Sequence, residues 1–299
     1  MQGRTRKQAL TEGVIAGVFF GTAAIFIRFV QNLDSFSIVF WRLVVGCLAL
    51  ALILLVLGKS FQFNLVRQNL KELLILSTFL GLHFVFFTYS VKDTTILNAT
   101  VLVNTVPIFS MLISGFVFRL KPSRLTLASL MISFTGVCFI AYGEVTASKG
   151  GSGVVPTLKG DLEAVLAALV ESFYLNYGRK IRNRMNILST MLPIYAFTAV
   201  IVGVLSMPIK NGVFVTPILP ETALPLIGLG LLPTAIAHTL YFSSLSNLKS
   251  FETATMAFLE PVGATILGMA LFQEMPAPIF ALGAILVLIG IFFTIKNRG

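Results

Sequence analysis

The sequence is short of charge. Only 11 % of its 299 residues are Asp, Glu, Lys or Arg, against about a quarter in an ordinary soluble domain. No stretch is both long and polar enough to fold in water by itself. With 56 % hydrophobic residues and a mean hydropathy of +0.92, a water-soluble fold would leave wide apolar areas facing solvent, so lipid is the solvent for this surface. Acids are scarcest: 12 Asp and Glu stand against 22 Lys and Arg, a net charge of +10. In a soluble chain that balance suggests nucleic acid, but these cations sit at the ends of apolar runs and imply no such partner. The two cysteines, Cys47 and Cys138, lie inside apolar runs and suit packing better than a disulfide. No Gly-x-x-x-x-Gly-Lys loop occurs and no His, Cys or carboxylate spacing suits a metal, so neither a nucleotide-driven cycle nor a cofactor is expected.

What the chain does have is ten runs near the 20 or so residues that a spanning helix needs. The first five are Thr11–Val30, Ser35–Leu57, Leu73–Val91, Thr95–Phe118 and Leu125–Tyr142; the second five are Asp161–Tyr177, Ile187–Met207, Ala223–Ser243, Thr253–Phe272 and Ala277–Ile295. Arg4, Arg6 and Lys7 precede the first run as they would in a signal peptide, but no small-residue cleavage site follows, so the run is read as a retained helix. With the N-terminus in the cytoplasm, sixteen basic residues fall on the inner side, including the groups Lys59–Lys71, Arg119–Arg124 and Arg179–Arg184. Only Lys92, Lys149, Lys159 and Lys210 fall outside. That bias predicts both termini in the cytoplasm of a cell membrane.

The chain also repeats itself. Pro107, Pro122 and Gly136 return as Pro261, Pro276 and Gly290, each displaced by 154 residues. The Gly-, Ser- and Thr-rich connection Gly143–Gly160 separates the copies, giving halves at 1–147 and 148–299. Five helices is an odd number, so the second copy must enter the membrane upside down. The expected fold is an all-α polytopic membrane protein, ten helices as two inverted five-helix repeats. Inverted halves can exchange inward- and outward-facing shapes at nearly equal energy, which favours a carrier.

These features resemble the EamA-like branch of the drug/metabolite transporter superfamily over nearly the whole chain. The matching residues are Phe40-Trp41-Arg42 early in the second segment, Pro107 and Pro261 within the fourth and ninth, and Leu259-Glu260-Pro261-Val262. Phe272-Gln273-Glu274 and a Gly-containing last segment ending at Lys296 complete the pattern. The resemblance implies a ten-helix basket with a central cavity lined mainly by helices 1, 3, 4, 6, 8 and 9. It also implies export or exchange of small metabolites, amino acids or drugs. Two places depart from the pattern: Arg119-Leu120-Lys121 stands where an acid is common after the fourth helix, and Glu171 stands where a tryptophan is common in the sixth.

Ionisable groups inside a bilayer are costly and need a partner, a proton or water. Glu171 lies about 15 Å along its helix at 1.5 Å per residue, near the midplane. It is expected to bind a cationic group or a coupling proton, or else to make a helix–helix hydrogen bond as a protonated acid. Glu260, beside the helix-kinking Pro261, is a second substrate or proton site or a structural feature. Asn104, one turn before Pro107, and Tyr89, Tyr174 and Tyr241 are further cavity candidates; an aromatic near a carboxylate suits a cation. His83, His238 and Trp41 join them, with packing the plainer role for the histidines. Arg42, Pro107 and Pro261 are assigned to structure and gating. So are Gly17 and Gly21, which with Gly13 recur every four residues and let another helix approach. The partners implied are the lipid bilayer, a small-molecule substrate and a proton. The rival class, a membrane-embedded enzyme acting on a lipid, would need its acids and histidines clustered at one interface.

Overall fold

The computed structural model describes residues 5–117, 119, 122–147, 157–210, 214–217, 219–272 and 277–296. Arg4, Lys121, Lys149, Gln273, Glu274, Pro276, Arg298 and the stretch 148–156 that carries the expected boundary between halves lie outside the described residues. Among the described residues the chain is helical throughout, without a strand. Among those residues, nine helices are long and apolar enough to cross a membrane. They are α1 (Arg6–Phe29), α2 (Ser35–Val56), α3 (Leu70–Asp93), α4 (Asn98–Phe116) and α5 (Arg124–Gly143), then α7 (Ile187–Ile209), α8 (Pro220–Ser244), α9 (Ser250–Leu271) and α10 (Ile279–Lys296). Between α5 and α7 lies α6 (Leu158–Ile181), equally long at 24 residues but less apolar. It carries Lys159, Asp161, Glu163 and Glu171 before Arg179 and Lys180. Its buried face runs along α3 and α4, so most of it packs on protein.

Local chemistry sets where these helices begin and break. Asp34 caps α2 by accepting from the Ser37 amide at 3.1 Å and its hydroxyl at 2.7 Å. Thr157 caps α6 by accepting from the Gly160 amide at 3.1 Å. Apolar side chains at helical spacing face outward, among them Leu48, Leu52 and Leu55 on α2, Val200, Val204 and Met207 on α7, and Ile285, Leu288 and Phe292 on α10. Exposed stripes of this width suit lipid.

Two helices break at matching places. Pro107 has no N–H to offer the carbonyl four residues back, and α4 interrupts at Asn104-Thr105. Pro261 leaves the same vacancy in α9, which tightens into a 3-10 turn over Met256–Phe258. α1 is interrupted at Gly21-Thr22, and α8 widens into a π turn over Gly230–His238.

The most extensive pairing among the described residues joins α5 to α10. A Cβ on Gly136 would come within 2.6 Å of the Gly283 carbonyl oxygen and 2.7 Å of the Val287 nitrogen. A Cβ on Gly290 would meet Ser129 and Ser133 instead. Displacement by 154 turns the first contact set into the second, and the Ser133 hydroxyl donates to the carbonyl of Val287, 154 residues away. Because backbone atoms line the Gly136 contact, Gly136→Ala is expected to destabilise the protein by about 1–3 kcal/mol. Thermal unfolding in detergent checks this, with Cys138→Ala at an exposed position of the same helix as the control.

Candidate functional site

The breaks in α1, α4, α8 and α9 surround one small cavity of about 50 Å3, room for a few waters at roughly 10–15 Å3 each. α1 contributes Phe20 and Ala23, α3 His83, Phe84 and Phe87, and α4 Val103, Asn104 and Val106. Glu171 enters from α6, Pro233, His238 and Tyr241 from α8, and Ala257 and Glu260 from α9. These are the six helices implied by the resemblance. α2 adds a seventh through Arg42.

The broken turns explain how polar groups reach the centre. The Asn104 amide donates to the Thr100 carbonyl at 2.7 Å, closing the last turn before the break, and to Glu260 Oε2 at 3.4 Å. The two interrupted helices thus meet through their polar side chains. The His83 Nδ1 faces the Ala167 carbonyl at 3.1 Å, and since a carbonyl only accepts, that nitrogen carries the proton. Glu171 Oε2 lies 3.7 Å from the same nitrogen, beyond hydrogen-bond reach. The rings of Phe20 and Phe84 lie 4.7 and 4.8 Å from that of His238 and form an apolar wall beside the acids.

Five buried polar atoms of this cavity have no hydrogen-bond partner among the described residues: Arg42 Nη1, Asn104 Oδ1, both Glu171 oxygens and His238 Nδ1. Leaving such an atom unsatisfied costs about 1–3 kcal/mol, more for a charged group. Gathered on one cavity, where water or a solute can satisfy them, they make it the candidate site.

Of the residues singled out in the sequence, Glu171, Glu260, Asn104, Tyr241, His83 and His238 share this cavity. Arg42, assigned to structure and gating, is there too. Three candidates lie elsewhere. Tyr174 is fully buried against Phe242 at 5.4 Å, with its hydroxyl 3.8 Å from Met191 Sδ. Tyr89 lies under the Lys159 ammonium at 5.7 Å. Trp41 donates to the Val215 carbonyl at 2.9 Å, near the stacked rings of Phe40 and Phe214. Gly17 and Gly21 seat α9 against α1. Sequence reasoning missed Phe20, Phe84 and Phe87, which nothing marks out among 27 phenylalanines.

Polar clasps cross both ends of the bundle. Where α1 begins, Arg6 donates to Glu252 Oε1 at 2.9 Å and to the Thr294 carbonyl at 3.3 Å. At the opposite end Asp161 accepts from the Thr94 hydroxyl at 2.8 Å and from the Asn98 amide at 3.1 Å. Displacement by 154 carries Asn98 onto Glu252 and Lys7 onto Asp161, so the clasps join equivalent places on α4/α6 and α9/α1.

A sequence profile of the EamA-like transporter family matches residues 9–142 and 158–296. The chain belongs to the EamA-like transporter family. It is therefore an integral membrane protein of the drug/metabolite transporter superfamily, and membership points to a transporter rather than an enzyme. It is 25 % identical to the uncharacterized transporter YxxF of Bacillus subtilis (strain 168), over 100 % of this chain and 93 % of that one. An uncharacterized transporter of Archaeoglobus fulgidus is 28 % identical, with 97 % and 96 % covered. A solved crystal structure superposes with a TM-score of 0.80 over 97 % of this chain and 96 % of that one, at 19 % identity, and shares its fold.

Proposed function

We propose that this EamA-like transporter moves a small polar or amphipathic solute across the cell membrane by alternating access, as an exporter or exchanger. The observation that carries the proposal is the set of unpaired polar atoms in a cavity walled by helices from both halves of the chain. All ten helices cross in this reading, α6 included, as inverted halves at 1–147 and 148–299. The reciprocal contacts of Gly136 and Gly290 support that symmetry, as do the helix breaks beside Pro107 and Pro261. Both termini face the cytoplasm, where the basic segment ends gather. The two clasps act as the inner and outer gates, and both are made in this structure.

Glu171 and Glu260 are the proposed proton carriers, facing Arg42, His83, His238 and Tyr241 across the cavity. One charge crossing about 150 mV gains on the order of 3.5 kcal/mol, or roughly 2.5 decades of concentration. One proton per cycle is then sufficient for strong export. Proteoliposomes loaded with labelled amino acids, amines and nucleosides test the proposal. The wild type is expected to release at least one of them, faster under a proton gradient. Glu171→Gln and Glu260→Gln are expected to lower that release at least tenfold and flatten its pH dependence. Unchanged flux and pH dependence in both variants would refute the carboxyl mechanism.

A further inference from the structure

Among the described residues, Arg42 is a buried cation without an anion. Its side chain is 1 % exposed, and no carboxylate among the described residues comes within 4.0 Å of it. Its orientation is nevertheless fixed. The Nε donates to Thr234 Oγ1 at 2.9 Å, and that hydroxyl spends its own proton on the Leu229 carbonyl at 2.7 Å, five residues back along the π turn of α8. The guanidinium carbon sits 3.9 Å from the centre of the Phe84 ring, which covers one of its faces. The close approach of α2 and α8 that permits this passes over Gly230, where a Cβ would meet the Arg42 carbonyl oxygen at 3.0 Å. What remains is Nη1, buried, unpartnered and on the cavity wall.

Burying an unpaired ion costs several kcal/mol. A guanidinium held by one nitrogen and stacked on one face still presents planar donors suited to a carboxylate. We propose that Arg42, positioned by Thr234 and Phe84, is an anion subsite of the cavity, and that the carried solute bears a carboxylate that binds there. Its apolar body then lies against Phe84, Phe87 and Phe20, and any hydrogen-bond donor it carries meets Glu171 or Glu260. This assignment rests on the transport reading for its role but concerns binding, which is measured at equilibrium without flux.

Thermal shift and equilibrium binding on the purified full-length protein test it. The probes are L-phenylalanine, 3-phenylpropanoate, the amide of each, acetate and chloride. At least one phenyl carboxylate is expected to bind, with its amide at least tenfold weaker. Arg42→Gln is expected to lose that preference, Arg42→Lys to keep part of it, and Thr234→Val to weaken carboxylate binding while leaving the unliganded melting temperature within a few degrees. Binding of acetate or chloride alone would assign the subsite to a free anion and overturn the claim about the solute. Equal binding of acid and amide, no binding by any carboxylate, or full carboxylate binding by Arg42→Gln would overturn the subsite itself. A carboxylate that binds through Arg42 but is not moved by the wild type in proteoliposomes would count against transport and leave the subsite standing.

Discussion

Gly17→Ala is expected to abolish transport and to lower the melting temperature more than Gly136→Ala. A Cβ at position 17 would land on the carbonyl oxygen of Met256, with Leu259 Cβ 3.2 Å away. That oxygen belongs to the 3-10 turn of α9 and has no rotamer to escape into. Four residues on, a Cβ at Gly21 would come within 2.7 Å of the Ala264 nitrogen and 2.9 Å of the Glu260 carbonyl oxygen. α1 and α9 therefore touch backbone to backbone beside the cavity, and even one methyl must push them apart. Overpacking costs about 1–3 kcal/mol, occasionally more; the approach at Gly17 is closer than the 2.6 Å at Gly136, which places its cost at the upper end of that range or above it. Displacement of α9 also carries Glu260 away from Asn104. The measurement is paired: unfolding in detergent and release from proteoliposomes, with Gly115→Ala, where a Cβ meets nothing within 4 Å, as the control. Wild-type flux in Gly17→Ala would show that the close approach plays no part in function.

Cutting the two clasps is expected to loosen opposite ends of the molecule. Arg6→Gln removes the ion pair to Glu252 while sparing that carboxylate's bond to the Lys249 amide, made at 2.7 Å. Asp161→Ala removes the acceptor shared by Thr94 and Asn98. Coupling energies of about 1–3 kcal/mol correspond to 5- to 150-fold changes in population. Backbone amide hydrogen exchange near residues 6–10 and 250–255 is therefore expected to quicken at least fivefold in Arg6→Gln. Residues 94–100 and 158–164 should stay protected in that variant. Asp161→Ala is expected to give the reverse pattern. If both variants open the same end, or neither opens any, the clasps are not gates.

Much of this architecture was legible because lipid imposes a coarse rule: 20 apolar residues in a row admit few folds. α6 shows where that rule weakens. Its charges lower its hydropathy because one long face packs on α3 and α4, and the helix, Leu158–Ile181, runs past both ends of the expected Asp161–Tyr177 run. The helix breaks were legible at Pro107 and Pro261, since a missing N–H acts locally. The bearing of each side chain was less so. α2 is apolar nearly all round, so its sequence could not show that Arg42 points inward, and only the packing of α8 across Gly230 reveals it. Tyr174 stands three residues after Glu171, a turn of about 60° away from the same bearing. That angle carries its ring out of the cavity and onto Phe242. Tyr89 shares α3 with His83 but sits over a turn and a half nearer its end, beside Lys159.

Access to Ala257 tests the central claim most directly. This residue lines the cavity and is 9 % exposed, so a cysteine there reports water reaching the centre. With Cys47 and Cys138 replaced by alanine, Ala257→Cys is placed in right-side-out and inside-out vesicles and treated with a membrane-impermeant thiol reagent. A cavity that opens to each face in turn predicts labelling from both sides, each slowed by a transported solute. Labelling from one side only, or from neither, would contradict alternating access through this site.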